Sequence, residues 1–525
     1  MYAQAGPPPR GAPPGIRVTG HPQGTQGRRT DVQDRRNWDI QDGVGAAHGL
    51  QTGRKSHARG SVRGRGIRPI FTAALAILAS CASYEPRPLN SQAHIQEWTG
   101  RRLQAESLQG QLQRMDLDLR DDAVRFDASD GLQLAEAQWV ALAFNPDLRL
   151  ARLRLTQATV AAQESAGWPD PRFTLSALEL TEETPDPWVI THGLEFSLPL
   201  TGRAGAYRDL KHAQREVAAL AVREAEWEVM HGLARAWVRW SASQLRIEQI
   251  QRHLAALTPL METTVELAQS GEIPSTEASL IALEHAMQES QLEGLHGQNA
   301  EHKQQLLALM GLSPGHGVRL VPGLTTASYG GPASQAPGPA LAARNPSLAR
   351  LREEYQAREH ALRMEIAMQW PDVGLGPAFE SDEGRAKVGL IGGLTLPLWD
   401  ANGEGIATAR VEREWARAAL ETEHEALLGR LAISTLRTES LERQRAHMEQ
   451  TLVPLVDQQV RNATRLVQLG ESSALVLVES LARAHQVQLD WISMRANLAS
   501  AEHERAFLIG PAQRAPETAT EEPIQ

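Results

Sequence analysis

Cysteine is almost missing from this chain. A single residue, Cys81, stands among 525, so neither an intramolecular disulfide nor a cysteine-based metal cluster can form. Aromatic residues make up only 5% although 42% of the chain is hydrophobic, which leaves the apolar content to Ala, Leu and their like. That is the balance of long helices rather than of compact β-rich cores. An apolar run of the ~20 residues that a helical membrane span requires is not to be seen, since Pro69–Ala79 falls well short. Excess positive charge is lacking as well. The net charge is −10, and residues 1–70 hold +8 of it, which leaves −18 on the remainder, a poor surface for a nucleic-acid backbone. Gly330-Gly331 has no Lys-Ser/Thr after it to make a phosphate loop, no serine sits in a nucleophile-elbow context, and no carboxylate pair stands out as a catalytic dyad. The 17 histidines lack His-Glu-x-x-His or any paired-ligand spacing. His285, His296, His302 and the run Glu423-His424-Glu425 therefore read as solvated helix surface. Nothing here points to an enzyme, a cofactor or a resident metal.

What the chain has is internal repetition. Asn145-Pro146, Trp168-Pro169-Asp170, Leu198-Pro199-Leu200 and Gly271-Glu272 return in the same order as Asn345-Pro346, Trp370-Pro371-Asp372, Leu396-Pro397-Leu398 and Gly470-Glu471, at offsets of 198 to 202. Each mark is a common turn signal, but four in order at a near-constant offset denote a tandem duplication. The first repeat is placed at 131–312, a Gly/Pro/Ser-rich linker at 313–340, the second repeat at 341–510 and a disordered tail at 511–525.

Ahead of the repeats, Arg63, Arg65 and Arg68 precede the short apolar run, which ends in Leu78-Ala79-Ser80-Cys81. Basic flank, length and small residues are those of a secretory signal, and the last four residues resemble a bacterial lipobox. Residues 62–80 are thus expected to be a lipoprotein signal peptide, Cys81 the lipidated residue and 81–130 a tether with short helical pieces such as Ile95–Leu108. Ala82 in the following position implies outer-membrane sorting. Residues 1–61 are expected to be disordered, or an over-extended start.

Each repeat carries a helix, two extended runs and a helical hairpin. The runs are Arg172–Leu180 (with room for a bulge), Ile190–Leu198, Val373–Phe379 and Lys387–Leu398, and they alternate apolar with polar residues. The hairpins run from Gly202 to Ser270 and back to Gly311, and from Asn402 to Leu469 and back to Leu508. Pro259 is expected to bend the first outgoing arm near its far end, and the second carries Pro454 near its end. An arm of this length reaches about 100 Å. Four strands of about ten residues suit a membrane β-barrel but cannot close one, and an open edge in lipid leaves backbone groups unsatisfied. Three chains would supply twelve strands, so oligomerisation is required.

With these features the chain resembles the TolC-like outer-membrane factors, the exit ducts of tripartite efflux systems, over residues 130–510. The resemblance rests on Asn145-Pro146, Leu198-Pro199-Leu200, the Gly271 and Gly470 turns and their counterparts. It implies a mainly α fold with a small β portion: a homotrimer with an α-barrel crossing the periplasm and a twelve-stranded β-barrel in outer-membrane lipid. It also implies an inner-membrane transporter of the RND type and a periplasmic adaptor (membrane fusion) protein touching the tips Gly271, Glu272, Gly470 and Glu471. Relatives close the tunnel with charged rings near the tips, which makes Glu266, Arg461 and Arg465 the candidate gate, near Glu262 and Asp457. The aspartate often found beside the second tip glycine is not at that spacing here. The run Leu396–Gly405 resembles the cobalt–zinc–cadmium branch, so the expected cargo is a small solute such as a heavy-metal cation. Multidrug efflux and a type I secretion duct stay open, as does a structural coiled-coil lipoprotein.

Overall fold

The computed structural model describes residues 84–104, 108, 126–165, 169–181, 187–198, 201–325, 341, 344–382, 385–394, 396 and 399–511. The extension, the signal segment, Cys81, Trp168, Pro199-Leu200, Pro397-Leu398, linker residues 326–340 and the tail beyond 511 lie outside them. Two units divide the chain at Arg87 and Pro88. The first is described only by Tyr84–Arg87, exposed and without helix or strand. All that follows concerns the second.

Its elements in order are α1 (Ser91–Thr99), α2 (Leu134–Phe144), α3 (Pro146–Gln163), β1 (Arg172–Glu179), β2 (Trp188–Leu198), α4 (Arg203–Ser270) and α5 (Ser275–Leu309). Then come α6 (Pro346–Ala367), β3 (Val373–Asp382), β4 (Arg385–Leu394), α7 (Gly403–His447), a π-helical turn (Met448–Leu452), α8 (Val453–Gln468) and α9 (Ala474–Ile509). The expected duplication is on view: helix, strand pair and long hairpin occur twice.

The repeated Asn-Pro marks explain themselves. Asn145 caps α3 by accepting from the backbone N–H of Asp147 and Leu148, while its own Nδ2 donates to the carbonyl of Leu309, the last residue of α5, at 2.9 Å. Asn345 does the same for α6, accepting from Ser347 and Leu348 and donating to Leu508 at 2.9 Å. One buried amide thus satisfies orphan groups at the start of one helix and at the end of another, seating α3 on α5 and α6 on α9. Pro at the first helical position needs no N–H partner there. A glycine completes each joint. A Cβ on Gly311 would come 2.1 Å from the Phe144 carbonyl oxygen, and one on Gly510 would come 2.5 Å from that of Arg344.

Four columns result: α5 with α3, α4, α9 with α6, and α7 with α8. α4 packs against both composite columns, which scarcely touch each other, while α7 packs on α6 and α9. The order across the protomer is therefore α5/α3, α4, α9/α6, α7/α8. Around the joint, α2 and residues Leu312–Leu320 lie on α4, burying Leu132, Val140, Leu148, Leu233, Trp237 and Met310 in the largest core cluster. α1 is shorter than the expected Ile95–Leu108 helix. Its end and the segment after it are docked on this core, with Trp98 Nε1 donating to the Gly311 carbonyl and Arg101 lying over the Phe144 ring.

Pro259 lies inside an α4 that is continuous as a helix, whereas near Pro454 the ladder widens into the π turn before α8. A proline cannot donate to the residue four back, and an inserted π turn is one way to absorb that loss. The β1–β2 register is continuous from Arg172↔Glu195 to Glu179↔Trp188, so β1 holds no bulge.

Candidate functional site

The four strands form one antiparallel sheet in the order β1-β2-β3-β4, although a whole helical hairpin separates β2 from β3 in the chain. Its register sorts side chains by face. Leu175, His192, Phe379 and Val388 form one cross-strand row, and Phe196 and Leu375 begin another. This face is apolar and open to solvent in the single chain: Leu175 is 68% exposed, Val388 74% and Leu390 78%. The opposite face carries Ser176, Thr191, Glu380 and Lys387 in one row, with Thr174, Gly193, Ala378 and Gly389 in the next. Lys387 Nζ bonds Glu380 at 3.0 Å and Asp382 at 2.6 Å. Small residues keep the polar face low, and the Glu195 carboxylate occupies the place that a Cβ on Gly374 would need. Between β2 and β3 the ladder skips Leu194 and Glu195, which lie opposite Pro377, without an N–H, and Gly376. Strands of 8 to 11 residues with one face apolar have the length and pattern of membrane β-strands.

Sheet and helices end on the same two sides. β1 follows α3 and β4 precedes α7, so the free strand edges continue the free sides of the outer columns. The outer columns expose large apolar residues. Leu150, Leu153, Leu280 and Leu283 lie on α3 and α5, and Val411 and Leu436 on α7, each more than half exposed. Single exposed apolar residues are ordinary, whereas several along both outer columns of one layer suit an interface.

At the far ends of the hairpins, Gly271 (φ +80°) and Gly470 (φ +72°) adopt the left-handed conformation. Their N–H groups bond Ala268 and Val467, and those of Glu272 and Glu471 reach back to Leu267 and Leu466 at 2.9 Å. Both turns are thus the same glycine-terminated helix cap. The two tips also meet. Ser473, which caps α9, bonds Glu277 of α5 at 2.5 Å, and beneath them Leu257, Ile281 and Val478 pack as one cluster. Neither Ser473 nor Glu277 stood out in sequence, because their pairing depends on how the hairpins lie side by side. Glu262, Glu266, Asp457, Arg461 and Arg465 are all exposed. Among the described residues none of them forms an ion pair within the protomer, so Glu266 and the two arginines are not brought together inside one chain.

The Asn-Gly turn after β4 has a local cause. Asn402 takes φ +57°, ψ 33° at the start of α7, and its Nδ2 donates to Glu365, to the backbone oxygen at 2.9 Å and to Oε2 at 2.7 Å. Gly202 holds the same left-handed place before α4. Asn402 ties α7 to α6, a role that any cargo would permit. Among the described residues no group of three or more His, Cys, Asp or Glu side chains could hold a metal ion.

The histidines are less uniform than expected. His296 is exposed, but His285 contacts Thr258 Oγ1 at 3.0 Å and His302 contacts Ser243 Oγ at 3.3 Å, both partly buried. His253 of α4 and His485 of α9 are buried and stacked, ring centroids 4.3 Å apart. Polar neighbours in sequence suggested solvent, while the hairpin-to-hairpin packing supplies the cover. Desolvation lowers both pKa values, that of His485 to about 4, with repulsion from His253 as a second cause; Glu284 opposes the fall at His253.

No protein-family model matches the chain, and no curated protein matches it in sequence. Solved structures do match in fold. The outer membrane protein VceC from Vibrio cholerae superposes with a TM-score of 0.61 at 17% identity, covering 73% of this chain and 97% of that one. The Campylobacter jejuni CmeC outer membrane channel gives 0.62 at 13% identity, with 73% and 86% covered. CusC, whose structures follow folding and transmembrane channel formation, gives 0.61 at 14% identity, with 72% and 92% covered. No helix among the described residues is long and apolar enough to cross a membrane.

Proposed function

We propose that this chain, which has the fold of solved outer-membrane channels, is itself one subunit of a trimeric outer-membrane efflux duct of the TolC-like kind. The observation that carries the reading is the coincidence of free edges in the two layers. A strand edge in lipid leaves N–H and C=O groups unsatisfied, and the antiparallel alternation lets β4 of one copy pair with β1 of the next. The same rotation sets the apolar side of α7 against that of α3 and α5. Such a head-to-tail contact closes into a ring, and three copies give twelve strands under twelve helical columns. The apolar sheet face then meets lipid while the polar row of Thr191, Glu380 and Lys387 lines the pore.

The work is steric and electrostatic, with no catalytic step. Solute enters at the hairpin tips, where the Gly271-Glu272 and Gly470-Glu471 turns are the surfaces offered to a periplasmic adaptor coupled to an inner-membrane transporter. Glu266, Arg461 and Arg465 face solvent near the tips and gate the tunnel through contacts between copies. Lipidation of Cys81 anchors each subunit. The heavy-metal cargo rests on the Leu396–Gly405 likeness alone, and the turn geometry of Asn402 accounts for much of that run without a metal.

The test is conductance. Purified protein inserted in planar bilayers gives stepwise ion currents and a trimeric native mass, whereas a helical spacer lipoprotein gives neither. Growth of a deletion strain on cobalt, zinc and cadmium beside antibiotics and dyes then reads the cargo. Sensitivity confined to metals supports the cation branch, and sensitivity confined to drugs removes it.

A further inference from the structure

In a chain whose bulk is acidic, one cavity is strongly basic. It measures about 470 Å³ and lies where α9 recedes between α4 and α7. Arg235 and Arg239 form one wall, Arg430 and Arg437 the other, and Ile433 adds an apolar surface. Asn497 and Ser500 of α9 lie along the floor with Glu504, the one carboxylate in the lining. Glu504 is already engaged by His231 at 3.0 Å, and that bond holds its carboxyl below the usual range. Arg430 also pairs with Glu423. Among the described residues no carboxylate lies within ion-pair distance of Arg235, Arg239 or Arg437. Four guanidinium groups around one cavity, with Arg430 paired to Glu423 and Arg235 in the field of Glu504, outnumber the one carboxylate in the lining and form a net positive site, and planar forks of this kind suit oxyanions.

Its direction follows from α4. Leu233, Trp237 and Trp240 are spaced along the face that receives α2 and residues Leu312–Leu320. Arg235 and Arg239 stand two positions off that spacing, on the opposite arc of the helix. In the ring proposed above, the layer that covers one face of the columns must lie outside, so the arginines face the lumen. Three copies then give twelve arginines at one level of the tunnel.

We infer that this cavity is an anion-binding site in the wall of the conduit, and that the duct favours organic solutes carrying carboxylate, sulfonate or phosphate groups beside an apolar portion. The direction into the lumen rests on the channel reading; the binding itself does not. It runs against a lumen suited to cations, which the net acidity of the chain suggests, because what a solute meets is the local field rather than the total charge.

Pyrene-1,3,6,8-tetrasulfonate, four anionic groups on an apolar ring, is the probe, titrated into the detergent-purified trimer and read by fluorescence anisotropy. The wild type binds it with an affinity that falls steeply with salt. Arg235→Gln with Arg239→Gln, and separately Arg430→Gln with Arg437→Gln, each weaken binding at least tenfold, which corresponds to about 1.4 kcal/mol. Glu504→Gln removes the one negative group, keeps an acceptor for His231 and tightens binding, a gain that a damaged fold would not produce. Binding unchanged in both double variants, or tightened by neither salt removal nor Glu504→Gln, overturns the inference. If the wild-type trimer conducts but binds no probe, this inference alone fails. If it neither conducts nor assembles, the channel reading fails with it.

Discussion

Lowering the pH should loosen the contact between the two hairpins, and His485 makes the size of the effect calculable. His485 is 5% exposed in the protomer and stacks on His253, which is equally buried. Its pKa is about 4 in the folded chain against 6.5 for the free side chain. Between those values the unfolded chain binds a proton that the folded chain refuses. Stability is therefore whole above pH 6.5, falls as pH drops through this window and loses nothing more from this group below about 4. The full linkage is about 3 kcal/mol, and about 2 kcal/mol is already lost at pH 5. His253, lowered by the same burial, adds in the same direction, and Glu284 facing it from α5 subtracts. His503, also at about 4 and close to the Thr325 carbonyl, contributes over the same window from another part of α9. The informative variant is therefore His485→Phe, which keeps a stacked ring without a proton to gain. Neither ring nitrogen of His485 has a hydrogen-bond partner among the described residues, so the change should cost little at pH 7.5 and may be measured there as a control. Guanidinium unfolding followed by far-UV circular dichroism at pH 7.5 and pH 5 gives the difference. The variant should lose about 2 kcal/mol less than the wild type between the two. Equal losses in both proteins would refute the assignment of that sensitivity to the stacked pair.

Other outcomes follow from the joints and turns. Asn345→Ala removes a helix cap and leaves the Leu508 carbonyl without its donor, so it should destabilise by about 2–4 kcal/mol; Asn145→Ala should cost the same, because the bonds are duplicated. Both are read as shifts of the unfolding midpoint. Gly271→Ala meets open space and carries only the backbone penalty of a positive φ, about 1 kcal/mol. Gly311→Ala adds a clash with the Phe144 carbonyl and should lower the yield of folded protein far more. Amides around Met448–Leu452 should exchange with deuterium faster than those flanking Pro259 in α4, since the π turn interrupts the regular ladder there.

How far the sequence could be read depended on whether a signal was local. Each Asn-Pro mark needs only its own helix start, and each tip glycine only its own turn, so both were visible at once. Gly311 and Gly510 recur at an offset of 199 and could have joined them, but their reason is the close approach of another segment's carbonyl. Period-two alternation placed all four strands within a few residues, and it could not say that β2 pairs with β3 across a hairpin. His253 and His485 look solvated because their sequence neighbours are polar, and burial comes from a helix more than 200 positions away. The arginine cavity draws on three helices for the same reason. What was hidden in each case is a contact between elements far apart in the chain, for the histidines and arginines between different columns.

That distinction also explains why the duplicated halves have diverged. α4 is the shared column, packed by α5 and α3 and again by α6 and α9. A continuous α-helix suits a position flanked by a packed column on each side, and Pro259 is carried without a break. α7 and α8 are the last column, bound through α6 and α9 on one side only. With fewer contacts to enforce a straight ladder, the helix near Pro454 relaxes into a π turn, and beyond it Leu455, Leu466 and Leu469 stay exposed. The extra residue of the π turn rotates everything beyond it relative to α7. Each repeat supplies one interior column, α4 or α9/α6, and one edge column, α5/α3 or α7/α8; in a closed ring the two edges must fit each other, which equal halves need not do.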